Sequence, residues 1–85
     1  MESSIWHLYL IRCADGSLYA GISTDVARRY ETHCAGRGAR YTRMKKPVSL
    51  VGSKACGTKS DALKAEIAVR KLKASDRLAY IERIM

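Results

Sequence analysis

Eighty-five residues make room for one domain and are too few for two, because a chain this short buries only a modest share of its surface around a single core. Apolar residues at 47% and charged residues at 28% exclude a chain too polar to collapse. Sixteen Lys and Arg against eight Asp and Glu leave a formal charge of +8, which points to a polyanionic partner.

Trp6 to Cys13 is rich in apolar and aromatic residues, Ala14-Asp15-Gly16 is a turn signal, and Leu18 to Ile22 resumes the pattern, which predicts a β-hairpin. The loop decides which side chains share a face. A two-residue Asp15-Gly16 turn puts Tyr9 and Tyr19 on opposite faces. A three-residue Ala14-Asp15-Gly16 loop, with Gly16 in the left-handed region, pairs Tyr9 with Gly21 and Ile11 with Tyr19. Both phenols then share one face, while Leu8, Leu10, Leu18, Ala20 and Ile22 line the other. This register is the predicted one because its apolar face is cleaner. Gly21, lacking a side chain, leaves room for a ligand such as phosphate to approach the Tyr9 phenol. Taken alone, the two tyrosines read more readily as strand-favouring aromatics packed under a helix.

Ser23-Thr24-Asp25 supplies N-cap candidates for a helix running to about Cys34, which Gly36 and Gly38 end. Val26, Tyr30 and Cys34 form its buried stripe, so Arg28 points away from the core. Arg29 and His33, four apart, stack along the border of that stripe. From Arg37 to Lys46 five basic residues, Arg37, Arg40, Arg43, Lys45 and Lys46, occur with no acidic one. Two glycines and the following Pro47 mark this as a loop or irregular connection, from which cations reach phosphates. A solvated loop is the plainer reading of the same run.

Val48 to Val51 reads as a third strand, a helix follows from about Asp61 to Lys73, and a last one starts at Ser75-Asp76 and runs toward Met85. The order ββαβαα predicts an α/β or α+β fold with a small three-stranded, mostly antiparallel sheet flanked by helices. With no repeat or linker, residues 1–85 are expected to form one unit. On the second helix Glu66 is a carboxylate flanked by apolar positions, and a divalent metal or an ion pair with Arg70 would each account for it. Cys13, Cys34 and Cys56 show no metal or disulfide spacing, and no run approaches the ~18 apolar residues of a membrane span, so a soluble cytoplasmic protein is expected.

Leu8-Tyr9-Leu10, Tyr19-Ala20-Gly21, Arg29, His33 and Glu66, together with the segment Gly38-Ala39-Arg40-Tyr41-Thr42-Arg43 and Pro47, give the chain a resemblance to the GIY-YIG nucleases. From Tyr9 through Pro47 the chain looks especially like the small stand-alone bacterial members and the structure-specific nucleases that cut branched DNA, and the resemblance covers nearly the whole chain. It departs from the family pattern where His7-Leu8-Tyr9 replaces Gly-Ile-Tyr, where Ala20 replaces the middle Ile, and in lacking a counterpart of a C-terminal asparagine that some members carry.

What the resemblance implies is a GIY-YIG fold and in-line attack of water on a backbone phosphorus. One of Tyr9 or Tyr19 would take the proton, Arg29 would stabilise phosphoryl charge, and Glu66 would hold Mg²⁺ or Mn²⁺. His33 would orient water or exchange protons, unless it serves only in packing, and Arg37, Arg40, Tyr41, Arg43, Lys45 and Lys46 would grip the nucleic acid, DNA in the first instance. Two further readings stand beside it: a nucleic-acid-binding accessory protein with little turnover, and an interaction module that binds no nucleic acid, which explains the core but leaves the basic run and the tyrosine pair as coincidence.

Overall fold

The computed structural model describes residues 4–83. Trp6–Cys13 forms strand β1 and Leu18–Ser23 forms β2, paired antiparallel with Tyr9 opposite Gly21 and Ile11 opposite Tyr19. The loop between them closes with Cys13 N–H donating to the Ser17 carbonyl and Gly16 N–H to the Cys13 carbonyl, both at 2.9 Å. Gly16 takes φ 88°, the left-handed value that a three-residue hairpin loop requires.

A long strand, β3 (Pro47–Gly57), pairs antiparallel with the other side of β1, giving the sheet order β2-β1-β3. β1 is therefore central and hydrogen-bonded on both sides, and alternate side chains feed two separate cores. Leu8, Leu10 and Ala20 pack with Val69 and Ile81 on one face; Tyr9, Ile11 and Cys13 pack with Tyr19, Val26 and Tyr30 on the other.

Helix α1 (Val26–Cys34) covers the tyrosine face. Asp25 caps it by accepting the Arg28 N–H at 3.1 Å. At its other end Gly36, at φ 80°, and Arg37 donate backward to the carbonyls of His33 and Thr32, closing the helix in a Schellman turn. The basic run that follows holds a short helix, α2 (Arg40–Lys45), where a loop was expected. It carries no apolar periodicity and is fixed from outside: Lys45 and Lys46 carbonyls accept from Ala14 N–H in the hairpin loop, and Lys45 Nζ meets Asp15 Oδ2 at 2.9 Å.

The third strand also exceeds its predicted span, Val48 to Val51, because the central strand offers its backbone groups whatever side chains lie opposite. Helix α3 (Lys59–Arg70) starts two residues before the predicted Asp61, on a capping box in which Thr58 and Asp61 exchange side-chain and backbone bonds. Helix α4 (Ala74–Arg83) completes the other face, and the predicted residues beyond it lie outside the described ones. No helix among the described residues is long and apolar enough to cross a membrane.

Arg77 ties these last elements together. Its guanidinium donates to four carbonyls: Val69 and Leu72 through Nε, Leu18 through Nη1 at 2.8 Å, and Arg70 through Nη2 at 2.9 Å. It thereby satisfies the open carbonyl end of α3 and anchors it to β2. Arg77→Ala is expected to cost about 2–4 kcal/mol in urea unfolding, since several carbonyls lose a charged donor at once. Arg77→Lys, with one point charge in place of a planar fork, is expected to recover less than half of that.

Candidate active site

The hairpin register sets the site. Tyr9 and Tyr19 lie on one face with ring centroids 6.5 Å apart, and His33 from the last turn of α1 comes within 5.9 Å of the first ring and 5.3 Å of the second. A Cβ on Gly21 would fall on the Tyr9 hydroxyl and 2.6 Å from its Cζ. The space expected there for a phosphate is thus filled by the phenol itself, which crosses the bare Gly21 backbone to reach α1.

Helical spacing alone puts His33 on the border of the buried stripe; in the fold it is fully buried, at 0% exposure. Its Nε2 lies 2.9 Å from Tyr9 Oη and its Nδ1 lies 2.7 Å from Oγ1 of Thr42, which is buried on α2. Thr42 Oγ1 donates in turn to the Ala39 carbonyl at 2.9 Å. Gly38 closes the pocket, since a Cβ there would come within 2.7 Å of His33 Cγ. Neither Thr42 nor Gly38 is marked by the sequence as belonging to this cluster. A hydroxyl in a basic run carries no signal of burial, and Gly38 reads as a helix stop.

Burial pushes the Tyr9 phenol up to about 12, with the Arg29 guanidinium pulling it down and the Tyr19 and Glu66 charges pushing the same way as burial. Tyr19 is also raised, again chiefly by burial, with Arg70 and Arg29 opposing and Glu66 adding to it. The same causes show that Arg29 on α1 and Glu66 on α3 both act on the two phenols. His33 is held below its ordinary value by burial and by Arg29. Tyr9, Tyr19 and His33, drawn from β1, β2 and α1, therefore share one neighbourhood, and the charges of Arg29 and Glu66 reach both phenols. Arg28 is exposed on the opposite side of α1.

Glu66 is shielded, its side chain 17% exposed, and its Oε2 pairs with Arg70 Nη2 at 3.0 Å. Arg70 also lines a cavity of about 430 Å³ together with Tyr19, Tyr41, Arg77 and the β2 residues Leu18 and Ala20. Tyr41 stacks on Tyr19, with centroids 5.7 Å apart and planes at 30°, so α2 forms the rim of this cavity. Of the basic residues expected to face nucleic acid, Arg37, Arg40, Arg43 and Lys46 are exposed, whereas the Lys45 ammonium is engaged with Asp15.

Fold and cluster together define a class. Residues 5–79 match the GIY-YIG catalytic domain, and the chain belongs to that family, a nuclease-type family whose substrate is nucleic acid. Among its relatives, a UPF0213 protein of Cupriavidus pinatubonensis is 47% identical over 79 residues, covering 93% of this chain and 88% of that one. A UPF0213 protein of Streptococcus agalactiae is 42% identical over 76 residues, covering 89% and 86%. Two solution NMR structures are similar. One, a protein from E. faecalis, has TM-score 0.65 and 33% identity, covering 96% of this chain and 88% of that one. The other, a UPF0213 protein from Bacillus halodurans, has TM-score 0.55 and 36% identity, covering 92% and 83%.

Proposed function

We propose that the chain is a metal-dependent endonuclease of the cytoplasm that hydrolyses the phosphodiester backbone, acting on DNA. The observation that carries this reading is the hydrogen-bonded run from Tyr9 through His33 to Thr42, set under the charges of Arg29 and Glu66.

Tyr9 is the base. With its phenol pushed up to about 12, the free phenolate is only about one part in 10⁵ at neutral pH, too scarce to serve as a standing base. His33 Nε2, 2.9 Å from the hydroxyl, removes that difficulty. As the attacking water gives its proton to Tyr9 Oη, the phenol passes its own proton to His33, and full charge never rests on the buried oxygen. Tyr19, on the same face, orients water and phosphate. Arg29 offers its fork of donors to the phosphoryl oxygens as their charge grows. Arg37, Arg40, Arg43 and Lys46 hold the flanking backbone.

Glu66 is the carboxylate that would hold Mg²⁺ or Mn²⁺. A single shielded carboxylate, 17% exposed, fits a hard ion that is held by one or two carboxylates and otherwise by water and substrate phosphate. When bound, such an ion neutralises charge on the non-bridging and leaving oxygens of the phosphate.

The Glu66–Arg70 ion pair favours a second reading, an accessory protein that binds nucleic acid and turns over little, since Arg70 already neutralises the carboxylate. One experiment separates the two. Purified protein is incubated with Mg²⁺ or Mn²⁺ and labelled single strands, nicked duplexes, flaps and RNA, beside Glu66→Gln. Metal-dependent cleavage that falls about 10²-fold in the variant is expected. Salt-sensitive binding without cleavage establishes the accessory reading, and cleavage that survives the substitution removes Glu66 from the mechanism.

A further inference from the structure

The direction of each hydrogen bond behind His33 can be read from one acceptor that has no proton to give. The Ala39 carbonyl accepts from Arg43 N–H at 3.1 Å and lies 2.9 Å from Thr42 Oγ1. A hydroxyl has a single proton, and spending it on this carbonyl leaves Oγ1 only lone pairs for His33, 2.7 Å away. Nδ1 must therefore carry the ring proton. In the neutral ring Nε2 is then the bare nitrogen, and it accepts from the Tyr9 hydroxyl. Turning the hydroxyl proton toward Nδ1 instead would set the Thr42 and Ala39 oxygens lone pair to lone pair at 2.9 Å. Flipping the ring would put carbons against both partner oxygens. Thr42 and His33 are both fully buried, so water does not compete for these bonds.

We infer that Thr42 is the positioning residue of this site: anchored on the Ala39 carbonyl, its hydroxyl fixes His33 as the Nδ1–H tautomer and so keeps Nε2 free to take the Tyr9 proton. The inference deepens the proposed relay and rests on it for its effect on cleavage, but the tautomer itself is a property of the resting protein and is measured without substrate. It also gives α2 a purpose beyond charge, because the helix that presents Arg40 and Arg43 to solvent carries the far end of the relay on Thr42, one of the two residues between them.

The test is long-range ¹H–¹⁵N NMR of the histidine rings in the intact chain at pH 7.5, for wild type, Thr42→Ser and Thr42→Val, followed by single-turnover cleavage. In wild type and Thr42→Ser, His33 is expected as Nδ1–H with Nε2 unprotonated. In Thr42→Val, which fills the same space without an acceptor, it is expected to move toward Nε2–H. Cleavage should fall by about 10²-fold in Thr42→Val and stay within about threefold in Thr42→Ser, the lower end of what a positioned base contributes.

A wild-type His33 found as Nε2–H overturns the inference outright, whether or not the valine variant folds. So does a folded Thr42→Val that keeps the wild-type tautomer. Absence of cleavage by wild type defeats the nuclease reading alone, and the ring spectra then still decide the role of Thr42.

Discussion

Tyr9→Phe is expected to lower the rate of cleavage by about 10²–10⁴-fold, the span that a positioned general base contributes, while the protein remains folded. Phenylalanine keeps the ring that packs with Ile11 and Cys13 and removes one oxygen. What is lost is the atom between water and His33, and Nε2 is left buried without a donor, a stability cost of about 1–3 kcal/mol. Tyr19→Phe should cost far less, about tenfold, because the His33 nitrogens are hydrogen-bonded to Tyr9 and Thr42 and not to Tyr19. If Tyr19→Phe proves the more damaging of the two, the roles assigned to the phenols are reversed.

The same pair sets the pH range. His33 is depressed below its ordinary value, first by burial and then by Arg29, so the unfolded chain binds a proton before the folded one does. Its contribution to stability is therefore present above the unfolded pKa of about 6.5 and lost as pH falls through the folded value. Tyr9 runs the other way. Raised to about 12 by burial, it costs nothing below pH 10, and stability drops by about 2–3 kcal/mol as pH climbs from there toward 12. Urea midpoints across this range should show both flanks in wild type. The alkaline flank should shrink in Tyr9→Phe.

Much of this geometry is legible in the sequence, for identifiable reasons. The Ala14-Asp15-Gly16 loop and the alternation of Leu8, Leu10, Leu18 and Ala20 fix one register between them, since a shift of one residue would turn the whole apolar set to the wrong face. That register alone places both tyrosines beside α1. Asp25 and Gly36 act where they stand, because caps and stops satisfy nearby backbone groups and need no distant partner.

The parts that stayed hidden depend on contacts across the chain. The helix at Arg40–Lys45 has no periodicity of its own and is held by Tyr41 on Tyr19, Thr42 on His33 and the hairpin loop at Ala14. The depth of His33 follows from α2 closing over it, and from α1 alone it reads as a border residue. Arg77 looks like any charged residue of an exposed helix until four carbonyls, from α3, β2 and the connection after α3, are found around it. In each case the deciding partner lies far along the sequence, where propensity and spacing give no information.

The second large effect comes from adding a single carbon. Gly21→Ala is expected to reduce cleavage at least as far as Tyr9→Phe and to cost about 1–3 kcal/mol or more of stability, because the methyl group has nowhere to go. Its Cβ would sit on the Tyr9 hydroxyl and 3.1 Å from a Tyr19 ring carbon. Tyr9 is 1% exposed and hemmed in by Ile11, Cys13 and Val26, so the phenol cannot step aside without leaving His33. Strain at the backbone is not involved, since Gly21 is not among the residues at positive φ. A second methyl separates this account from general damage. Gly38→Ala meets the opposite end of the relay, 2.8 Å from His33 Cε1, but on a connecting segment outside the sheet. It should therefore lower cleavage by displacing the imidazole while leaving the urea midpoint nearer to wild type. Combining Gly38→Ala with Tyr9→Phe should add little further loss of rate, because once the hydroxyl is gone the position of Nε2 no longer matters. Losses that simply multiply would mean that Tyr9 and His33 act separately, and the relay between them would have to be abandoned.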